Sequence, residues 1–598
     1  MVTSEPRSFE STWGEYGAEE WSDAIMASMK LGGVDNLFFV SGSEIAFFQE
    51  SAAKAREREW PSPRLVTMTH EGAALHAALG NAMVTGQPAA TAVHVDVGTL
   101  NYGAAIHTAW RGGYPVLMTA GTGPRAYPGT MRGGRDAPIQ WVQEPRDQGE
   151  ILRQYTKHDH RLEHLDNPGL MVSRLLQVAM SDPQGPVYMT VPREVAMQPM
   201  PGTTRFPTRD QLGVARPAWP DPRDAKLAAE WLVKANNPVI SLAKSGRHPD
   251  SVEALVRLAE LLAIPIREQQ TDKMNFPTTH PLHGTGPDAA DADVVMVCES
   301  PSPFTPGRNA PSADARVIWV DPDPVQSRYK TMEYRADMWL PVSVTGAAEA
   351  IYEAATGLLT KSDMDRIADR RARLEQRKEE IRQRNEDLAA EASKRSPLHP
   401  RWVAYQLGQV MESDAILLDD ALSNTPYVQA YHERSQPGTY FKSGGSTGGW
   451  GSAAAFGAKL AKPNSDVILT SGDGYFMFGT PLAGLWAANH HNAPYLAVVF
   501  VNASYSTGTR GLRGTYPEGA AIRNEQYDGG LFDPPPDFAK LAEAANGYGE
   551  TVTTAEEIGP ALRRGLDQVR RGTPAVIAAR IPTIPQEMEM GGVAPRGE

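Results

Sequence analysis

The sequence predicts an α/β protein built from three doubly wound parallel-sheet domains. Apolar runs such as "VDNLFFVSGSE", "ARVIWVDPDP" and "DVILTSGDG" have the length of strands and end in Gly-rich or acidic loops. They alternate with Ala-rich stretches of helical length, a pattern typical of parallel sheets joined by crossover helices. The chain has 598 residues, a length that fits two to four domains of ordinary size.

Three segments carry this alternation, and stretches of different composition separate them. A Pro-rich stretch, "MQPMPGTTRFPTRDQLGVARPAWPDPRD", predicts a linker after the first segment. A later stretch, "SDMDRIADRRARLEQRKEEIRQRNEDLAAEASKR", is dense in charges of both signs and predicts a solvated connecting helix. The predicted organisation is an N-terminal tail (1–20), a first domain (21–200), a linker (201–221), a central domain (222–360), a charged linker helix (361–399), a third domain (400–582) and a C-terminal tail (583–598).

Composition argues against several classes of protein. The formal net charge is −13, which disfavours nucleic acid as the main partner because phosphate backbones need clustered Lys and Arg. The first residues lack the apolar core of a secretory signal, and no apolar run approaches the roughly 20 residues that span a bilayer. Cys298 is the single cysteine, so no disulfide forms within the chain and we expect a cytoplasmic protein.

One strand–turn–helix unit in the third segment places a carboxylate at a sheet edge. In "DVILTSGDGYFMFG" an apolar strand runs into Asp473, which lies between Gly472 and Gly474. A second apolar strand, "YLAVVFVN", ends at Asn502 after one crossover, and ligands of open α/β sheets bind beyond such strand ends. Carboxylate and amide oxygens suit Mg²⁺. The alternative is a tight turn in which Asp473 caps the following helix.

The same stretch resembles a known cofactor-anchoring motif. "GDG", a helical "GLWAANHHNAP", an apolar strand and "VNASYS" are similar to the motif of thiamine-diphosphate-dependent enzymes of the acetolactate synthase, benzoylformate decarboxylase and pyruvate oxidase group. The resemblance implies that Mg²⁺ binds Asp473, Asn502 and the main-chain carbonyl of Ser504, and that Gly472, Gly474 and Tyr505 lie at the cofactor. Two departures stand out: a Val precedes Asn502 where the family has a first Asn, and extra residues fall in "YFMFGTP".

Glu71 is the second residue that the resemblance singles out. In "VTMTHEGAALHAALGNAMVTG" it follows a short apolar run and begins an Ala-rich helix that ends at Gly86. An acid in a first helical turn is favoured by the helix dipole, which by itself explains Glu71. The resemblance implies a further role, in which Glu71 hydrogen-bonds N1′ of the cofactor's pyrimidine ring and so promotes loss of the proton from the thiazolium C2 carbon.

Other stretches extend the resemblance over nearly the whole chain. "GGWGSAAAFGAKLA" is similar to the Gly-rich turn and helix that precede the metal motif. Gly448 lies where the family has a bulky residue that bends the cofactor, and Trp450 is the candidate substitute. "VQEPRDQGEILRQYTKHDHRL" is similar to a family segment in which Gln143 would lie near the substrate.

The stretch "AVHVDVGTLNYGAAIHTAW" supplies further candidates for substrate contact. It holds His94, Asn101 and His107, and relatives that decarboxylate their substrates often carry paired active-site histidines. Each of these residues is equally compatible with a structural or surface role. The stretch is therefore predicted to lie near the substrate, but the sequence does not decide which of its side chains contacts the substrate.

The resemblance implies a homodimer or homotetramer, with active sites at the subunit interface, that joins or cleaves carbon–carbon bonds. The implied enzyme is a thiamine-diphosphate- and Mg²⁺-dependent lyase or transferase, a decarboxylase or carboligase acting on a 2-oxo acid or related carbonyl compound. FAD is not expected, because "CESPSPFTPG" lacks the Arg-Phe-Asp strand end of flavin-binding relatives. Two alternatives stay open: a thiamine-diphosphate-dependent hydrolase of a 1,2-dione, and a flavin- or nicotinamide-binding oxidoreductase, although no GxGxxG turn follows an early strand.

Overall fold

The computed structural model separates the chain into two compact units, Met1–Ala215 and Arg216–Glu598. The described residues are 14–164, 166–200, 203–207, 211, 213–215, 217–269, 271–584 and 586. Most of the predicted N-terminal tail, much of the 201–221 linker and nearly all of the predicted C-terminal tail therefore lie outside the described residues.

The first unit contains a six-stranded parallel sheet in the order β3-β2-β4-β5-β7-β6. A separate antiparallel pair joins β1 to β8. The strands are β1 (Gly14–Gly17), β2 (Asn36–Phe39), β3 (Arg64–Thr67), β4 (Ala89–Val93), β5 (Val116–Thr122), β6 (Asp159–Arg161), β7 (Val187–Pro192) and β8 (Thr203–Phe206). The helices are α1 (Trp21–Leu31), α2 (Phe47–Arg58), α3 (Glu71–Thr85), α4 (Asp96–Leu100), α5 (Ala105–Gly112), α6 (Pro168–Met180) and α7 (Arg193–Ala196).

The second unit begins with a five-stranded parallel sheet in the order β10-β9-β11-β12-β13. Cys298 ends β11 and is fully buried there, and burial raises the pKa of its thiol. The strands are β9 (Pro238–Leu242), β10 (Ile266–Glu268), β11 (Val294–Cys298), β12 (Arg316–Val320) and β13 (Met338–Leu340). The helices are α8 (Pro222–Lys234), α9 (Pro249–Leu262), α10 (Val344–Leu358) and α11 (Lys361–Ala392).

A second six-stranded parallel sheet completes this unit, in the order β15-β14-β16-β17-β19-β18. Its strands are β14 (Ile416–Asp420), β15 (Tyr440–Phe441), β16 (Val467–Gly472), β17 (Leu496–Val501), β18 (Tyr548–Val552) and β19 (Ala575–Arg580). Its helices are α12 (Pro400–Val410), α13 (Thr425–Tyr431), α14 (Gly451–Ala461), α15 (Asp473–Phe478), α16 (Pro481–His490), α17 (Ser506–Thr515), α18 (Ala520–Arg523), α19 (Phe538–Ala544) and α20 (Ala555–Arg570).

Three parallel sheets confirm the predicted fold class, and strand burial explains why they form. Every residue of β4 and of β17 is buried, as expected when helices cover both faces of a parallel sheet. The predicted helix "EGAALHAALGNAMVT" is α3, and Gly86 ends it with φ +63°. Glycine suits that position because it adopts left-handed backbone angles without steric cost.

Helix α11 is the charged connecting helix that the sequence predicted, with a feature that the charge pattern did not show. Much of it is exposed, but Arg370 is buried and donates hydrogen bonds to the carbonyls of Ala235, Leu262 and Ala263. Those carbonyls lie at the carboxyl ends of α8 and α9, where helical carbonyls lack partners within their own helix. At least four cations of α11 anchor it to the central domain, since Arg366, Arg371 and Lys378 also donate to main-chain carbonyls there. Among the described helices, none is both long and apolar enough to cross a membrane.

Candidate active site

Asp473 is held at the carboxyl edge of the third-domain sheet by main-chain donors. It is the first residue of α15 and follows β16 directly. Its Oδ1 accepts a hydrogen bond from the Gly474 amide at 2.8 Å, and its Oδ2 accepts from the amides of Asn502 (2.9 Å) and Ala503 (2.6 Å). Burial raises the pKa of Asp473 to about 6, although these three amide donors lower it in part.

Asn502 and Ser504 form a compact polar turn immediately after β17. The Asn502 Oδ1 accepts hydrogen bonds from the amide and the hydroxyl of Ser504, both at 3.1 Å, and its amide nitrogen donates to the hydroxyl of Ser506. Ala503 lies between them with φ +55°, an uncommon conformation for a residue with a Cβ. The hydrogen bond from the Ala503 amide to Asp473 ties this turn to the end of β16.

A cavity of about 240 Å³ opens at this edge of the sheet. Six of the nine residues that the sequence placed at the metal and cofactor line it: Gly472, Asp473, Gly474, Asn502, Ser504 and Tyr505. The Tyr505 ring packs over Gly474, where an added Cβ would lie 2.8 Å from the ring atom Cε1. The local motif therefore folds into one concave site.

Gly448 and Trp450 occupy the Gly-rich turn before α14 and are not among the residues lining that cavity. An added Cβ on Gly448 would lie 2.2 Å from Cδ1 of Tyr475, so the Tyr475 ring covers this glycine directly. Trp450 is fully buried. Tyr475 belongs to the unusual "YFMFGTP" stretch and does line the cavity, which gives that stretch a place in the site.

Asp420 holds the Gly-rich turn before α14 by a hydrogen bond, and the sequence analysis did not identify this residue. Its Oδ2 accepts a hydrogen bond from the Gly449 amide at 2.9 Å, and burial raises its pKa. Gly449 itself has φ +83°, so it needs the conformational freedom of glycine. Two consecutive Asp residues at the end of the apolar strand "AILLDDA" were the available signal, since acids are rare at the end of a buried strand unless they are hydrogen-bonded.

In the first unit, Glu71 and Asn101 come together at the carboxyl edge of the six-stranded sheet. Glu71 is the first residue of α3, and His70 caps the helix by accepting a hydrogen bond from the Ala73 amide. Asn101, just after α4, donates a side-chain hydrogen bond to Oε2 of Glu71. Gly98 lies beside Oε1, 3.5 Å from where a Cβ would be. Glu71 is half-buried, so its carboxylate stays accessible from one side.

His94 lies at the end of β4 and contacts a different carboxylate. Its Nε2 hydrogen-bonds Oε2 of Glu44 and lies 3.5 Å from the hydroxyl of Ser43. Glu44 and Ser43 follow β2 in the stretch "VSGSE", where the sequence suggested a loop and no acid–histidine pair. The recognisable signal was an acid directly after a Gly-Ser turn at a predicted strand end.

His107 and Gln143 take peripheral places in this unit. His107 lies on α5 with its ring centroid 6.2 Å from that of Tyr155, and burial lowers its pKa. Gln143 is half-buried, and its main-chain carbonyl lies 3.2 Å from where a Cβ on Gly123 would be. Gln148, five residues further on, is the buried glutamine of the segment and donates hydrogen bonds to Gly121 and Tyr188.

The residues of the third-domain cavity fit Mg²⁺ and a diphosphate. Their donor set is one carboxylate, one carboxamide oxygen and main-chain carbonyls, the hard oxygen ligands that Mg²⁺ prefers. Across the described ranges there is no cluster of three or more His, Cys, Asp or Glu side chains that could hold a metal alone. A single carboxylate leaves room in an octahedral shell for phosphate oxygens and water, which is the usual arrangement for Mg²⁺ with a phosphorylated cofactor.

Comparison with known families matches all three domains. The C-terminal TPP binding domain of thiamine pyrophosphate enzymes matches residues 422–579, the N-terminal TPP binding domain matches 20–151, and the central domain matches 225–338. The chain belongs to the thiamine pyrophosphate enzyme family. The predicted family, and with it a thiamine-diphosphate-dependent lyase or transferase, are confirmed, and the oxidoreductase alternative gains no support.

Relatives within this family align over most of the chain. A benzoylformate decarboxylase of Pseudomonas aeruginosa is 27% identical, covering 84% of this chain and 89% of that protein. An acetolactate synthase large subunit of Mycobacterium tuberculosis is 26% identical, covering 92% and 94%. A thiamine diphosphate-dependent 4-hydroxybenzoylformate decarboxylase of Rhodococcus jostii shares the fold, with a TM-score of 0.72 at 22% identity over 94% of this chain and 99% of that one.

Proposed function

We propose that the protein is a thiamine-diphosphate- and Mg²⁺-dependent decarboxylase or carboligase that acts on a 2-oxo acid or a related carbonyl compound. The carrying observation is the cavity at the carboxyl edge of the third-domain sheet, which gathers Asp473, Asn502 and Ser504 in one place. That cavity lies within the region matched by the C-terminal TPP binding domain. Relatives named for decarboxylation and for acetolactate synthesis support this reaction class.

The cofactor's anchoring falls to the third domain in this proposal. Asp473, Asn502 and the Ser504 carbonyl would hold Mg²⁺, whose charge would offset that of the diphosphate. The three amide donors to Asp473 fix its carboxylate before any metal arrives, so little reorganisation is needed on binding. Tyr475, which covers Gly448 and lines the cavity, would support the middle of the cofactor.

The proton work on the cofactor falls to Glu71. Bound thiamine diphosphate supplies a carbon nucleophile and an electron sink for carbon–carbon cleavage. The Glu71 carboxylate would share a proton with the pyrimidine N1′ atom, and Asn101 would hold that carboxylate by its hydrogen bond. A half-buried carboxylate suits this role because it can exchange its proton and still present a fixed lone pair.

We also propose a homodimer or homotetramer whose active sites form between the first domain of one subunit and the third domain of another. In the single chain, apolar side chains are exposed beside Asn101 in the first domain and beside Asp473 in the third domain. Val97 and Leu100, next to Asn101, are 53% and 59% exposed, and Phe478, on the same short helix as Asp473, is 68% exposed. Large apolar side chains in such numbers around a polar site support burial by a second copy.

Thermal unfolding tests whether the protein binds thiamine diphosphate and Mg²⁺. Protein stripped of cofactor should show a higher melting temperature with thiamine diphosphate plus Mg²⁺, because ligands that bind the folded state stabilise it by mass action. EDTA should reverse the rise, and Asp528→Asn, an exposed acid in the same unit, should respond like wild type. A melting temperature indifferent to both cofactors would refute the proposal.

A substrate screen tests the reaction class. Holoenzyme should release CO₂ from at least one 2-oxo acid, or join two carbonyl compounds, and Glu71→Gln should abolish the product. Hydrolysis of a 1,2-dione without CO₂ release or carboligation would instead favour the hydrolase alternative.

A further inference from the structure

Glu44 is a buried carboxylate with three hydrogen-bonding side chains around it. The side chain is 4% exposed. Its Oε2 accepts from the Ser43 hydroxyl at 2.6 Å and contacts His94 Nε2, and its Oε1 accepts from the Gln140 side-chain nitrogen at 3.1 Å. Burial raises the pKa of Glu44, but the hydrogen bonds from Ser43, His94 and Gln140 outweigh it and lower the pKa overall.

Hydrogen bonds from main-chain amides determine which side-chain atom of Gln140 faces Glu44. Gln140 is buried, and its Oε1 accepts from the amides of Asp136 (2.8 Å) and Ala137 (3.2 Å). Its amide nitrogen must then be the atom that faces Glu44, because the oxygen is already committed. Glu44 therefore accepts at Oε1, and an ionised carboxylate, which has no proton to donate, accepts at Oε2 as well, so Ser43 and His94 are the donors there.

Sheet order brings these residues together although they are far apart in sequence. Strand β2 pairs with β4, and β4 pairs with β5, so the loops after these strands meet at one edge. The His94 ring packs on Gly42, where a Cβ would lie 2.4 Å from ring atom Cδ2. Gly121, in β5, leaves no space either, since a Cβ there would lie 2.5 Å from the His94 carbonyl oxygen. The imidazole is thus held by packing on Gly42 and by Glu44, and the His94 main chain by packing against Gly121.

The other ring nitrogen of His94 remains available. Within the part of the chain that the structure describes, Nδ1 of His94 makes no hydrogen bond, and the side chain is 25% exposed. A carboxylate that engages one imidazole nitrogen determines which nitrogen carries the proton and which can accept one.

We propose that Glu44 is the positioning residue of the active site: its carboxylate holds the Nε2–H of His94 and leaves Nδ1 as the atom that exchanges a proton with the substrate. When Nδ1 takes a proton from solvent, the ring carries a proton on each nitrogen, and the Glu44 carboxylate beside Nε2–H balances the positive charge. Transfer of the Nδ1 proton to a substrate oxygen that has gained negative charge leaves a hydroxyl there and restores the neutral ring. This role rests on the proposed function, since it needs a carbonyl substrate at the site.

Two substitutions separate an acceptor role from a packing role. Glu44→Gln keeps the size of the side chain but sets an amide nitrogen against a donor, whereas Glu44→Asp is shorter but keeps two acceptors. We expect Glu44→Gln to lower kcat by about 10²-fold with little change in KM, which is the scale of a general acid–base contribution, and Glu44→Asp to retain more activity. Glu50→Gln, an exposed acid on α2, is the matched control and should keep wild-type kinetics. The reverse order, with Gln the milder change, would overturn the proposal.

A measurement without substrate keeps this test separate from the proposed function. Holoenzyme is treated with diethyl pyrocarbonate at neutral pH, and modification of His94 is followed by peptide mass spectrometry, with exposed His164 as internal reference. Glu44→Gln should change the His94 rate several-fold and leave His164 unchanged. Equal His94 rates in wild type, Glu44→Gln and Glu50→Gln would contradict the positioning role even if thiamine diphosphate binds, whereas an altered rate in a protein that ignores thiamine diphosphate would contradict the proposed function alone.

Discussion

Glu71 in the first unit follows an edge strand and Asp473 in the second follows an interior strand, and the two carboxylates are held in different ways. Each begins a helix that follows a parallel strand, at the carboxyl edge of a six-stranded sheet. Asp473 is 2% exposed and accepts hydrogen bonds from three main-chain amides. Glu71 is half-buried and accepts from one side chain, that of Asn101.

The difference indicates how one architecture can serve two kinds of carboxylate chemistry. Main-chain donors belong to the fold itself, so they fix Asp473 as firmly as the sheet and suit it to a metal that demands regular geometry. A side-chain donor on one face leaves Glu71 open on the other and suits it to proton exchange. If that distinction holds, substitution of Asp473 should impair cofactor binding, whereas substitution of Glu71 should impair turnover.

Glu71→Gln should have the largest effect on turnover. The carboxamide keeps the shape of the side chain but cannot share a proton with the cofactor ring. We expect kcat to fall by about 10²–10⁴-fold, the range of a general acid–base contribution, while thiamine diphosphate affinity by calorimetry stays close to wild type. Glu57→Gln, an exposed acid on α2, is the control. A variant that turns over at the wild-type rate would remove the role assigned to Glu71.

Asp473→Asn should instead abolish cofactor binding. The replacement has one acceptor oxygen, so its amide nitrogen must face at least one of the three main-chain donors, and it also loses the charge for Mg²⁺. We expect the affinity for thiamine diphosphate plus Mg²⁺ to drop at least about 100-fold, and the free energy of unfolding to fall by about 1–3 kcal/mol from the unpaired donor. Calorimetry and urea unfolding measure the two quantities. Unchanged affinity would contradict the metal role.

Acidification should affect the Asp473 site in a defined direction. Because burial raises its pKa to about 6, Mg²⁺ must displace a proton at lower pH, so the Mg²⁺-induced rise in melting temperature should shrink between pH 7.5 and pH 5. The folded state holds that proton more tightly than the unfolded state. In metal-free protein Asp473 therefore reduces the free energy of unfolding as pH rises from about 4 to about 6, by at most about 1.4 kcal/mol per pH unit. Asp473→Asn should remove this contribution, and identical pH profiles for both proteins would contradict it.

Asn101→Ala should produce the smallest effect. It removes the single side-chain donor to Glu71 but leaves the carboxylate in place, and a partly solvated charge-assisted hydrogen bond is worth about tenfold in rate. Asn101→Asp should be worse, because it sets a second carboxylate against Glu71. Steady-state kinetics measure kcat for each variant. If Asn101→Ala lowers kcat as much as Glu71→Gln does, the proposed difference between the Glu71 and Asp473 sites is wrong.

The sequence located the residues that follow strands along the chain, because such motifs are local. Glu71, Asp473 and Asn502 were placed at strand ends from local patterns, and Ser504 was added by the family resemblance. The structure brings Asp473, Asn502 and Ser504 into one cavity. The sequence showed that Gly448 is smaller than the residue the family has at that position. The structure explains the small residue, because the Tyr475 ring lies directly over Gly448. Glu44 was missed altogether, since its partners His94 and Gln140 lie 50 and 96 residues further along the chain.

By itself the sequence determined the family, the three parallel sheets and the strand ends that carry chemistry, since hydrophobic periodicity and turn composition act over a few residues. The tertiary structure decided which side chains face one another. The order β3-β2-β4-β5-β7-β6 brings the loops after β2, β4 and β5 to one edge, and there Glu44, His94 and Gly121 meet. Strand order depends on how whole crossover units pack, so no local pattern encodes the donor that a buried carboxylate will find.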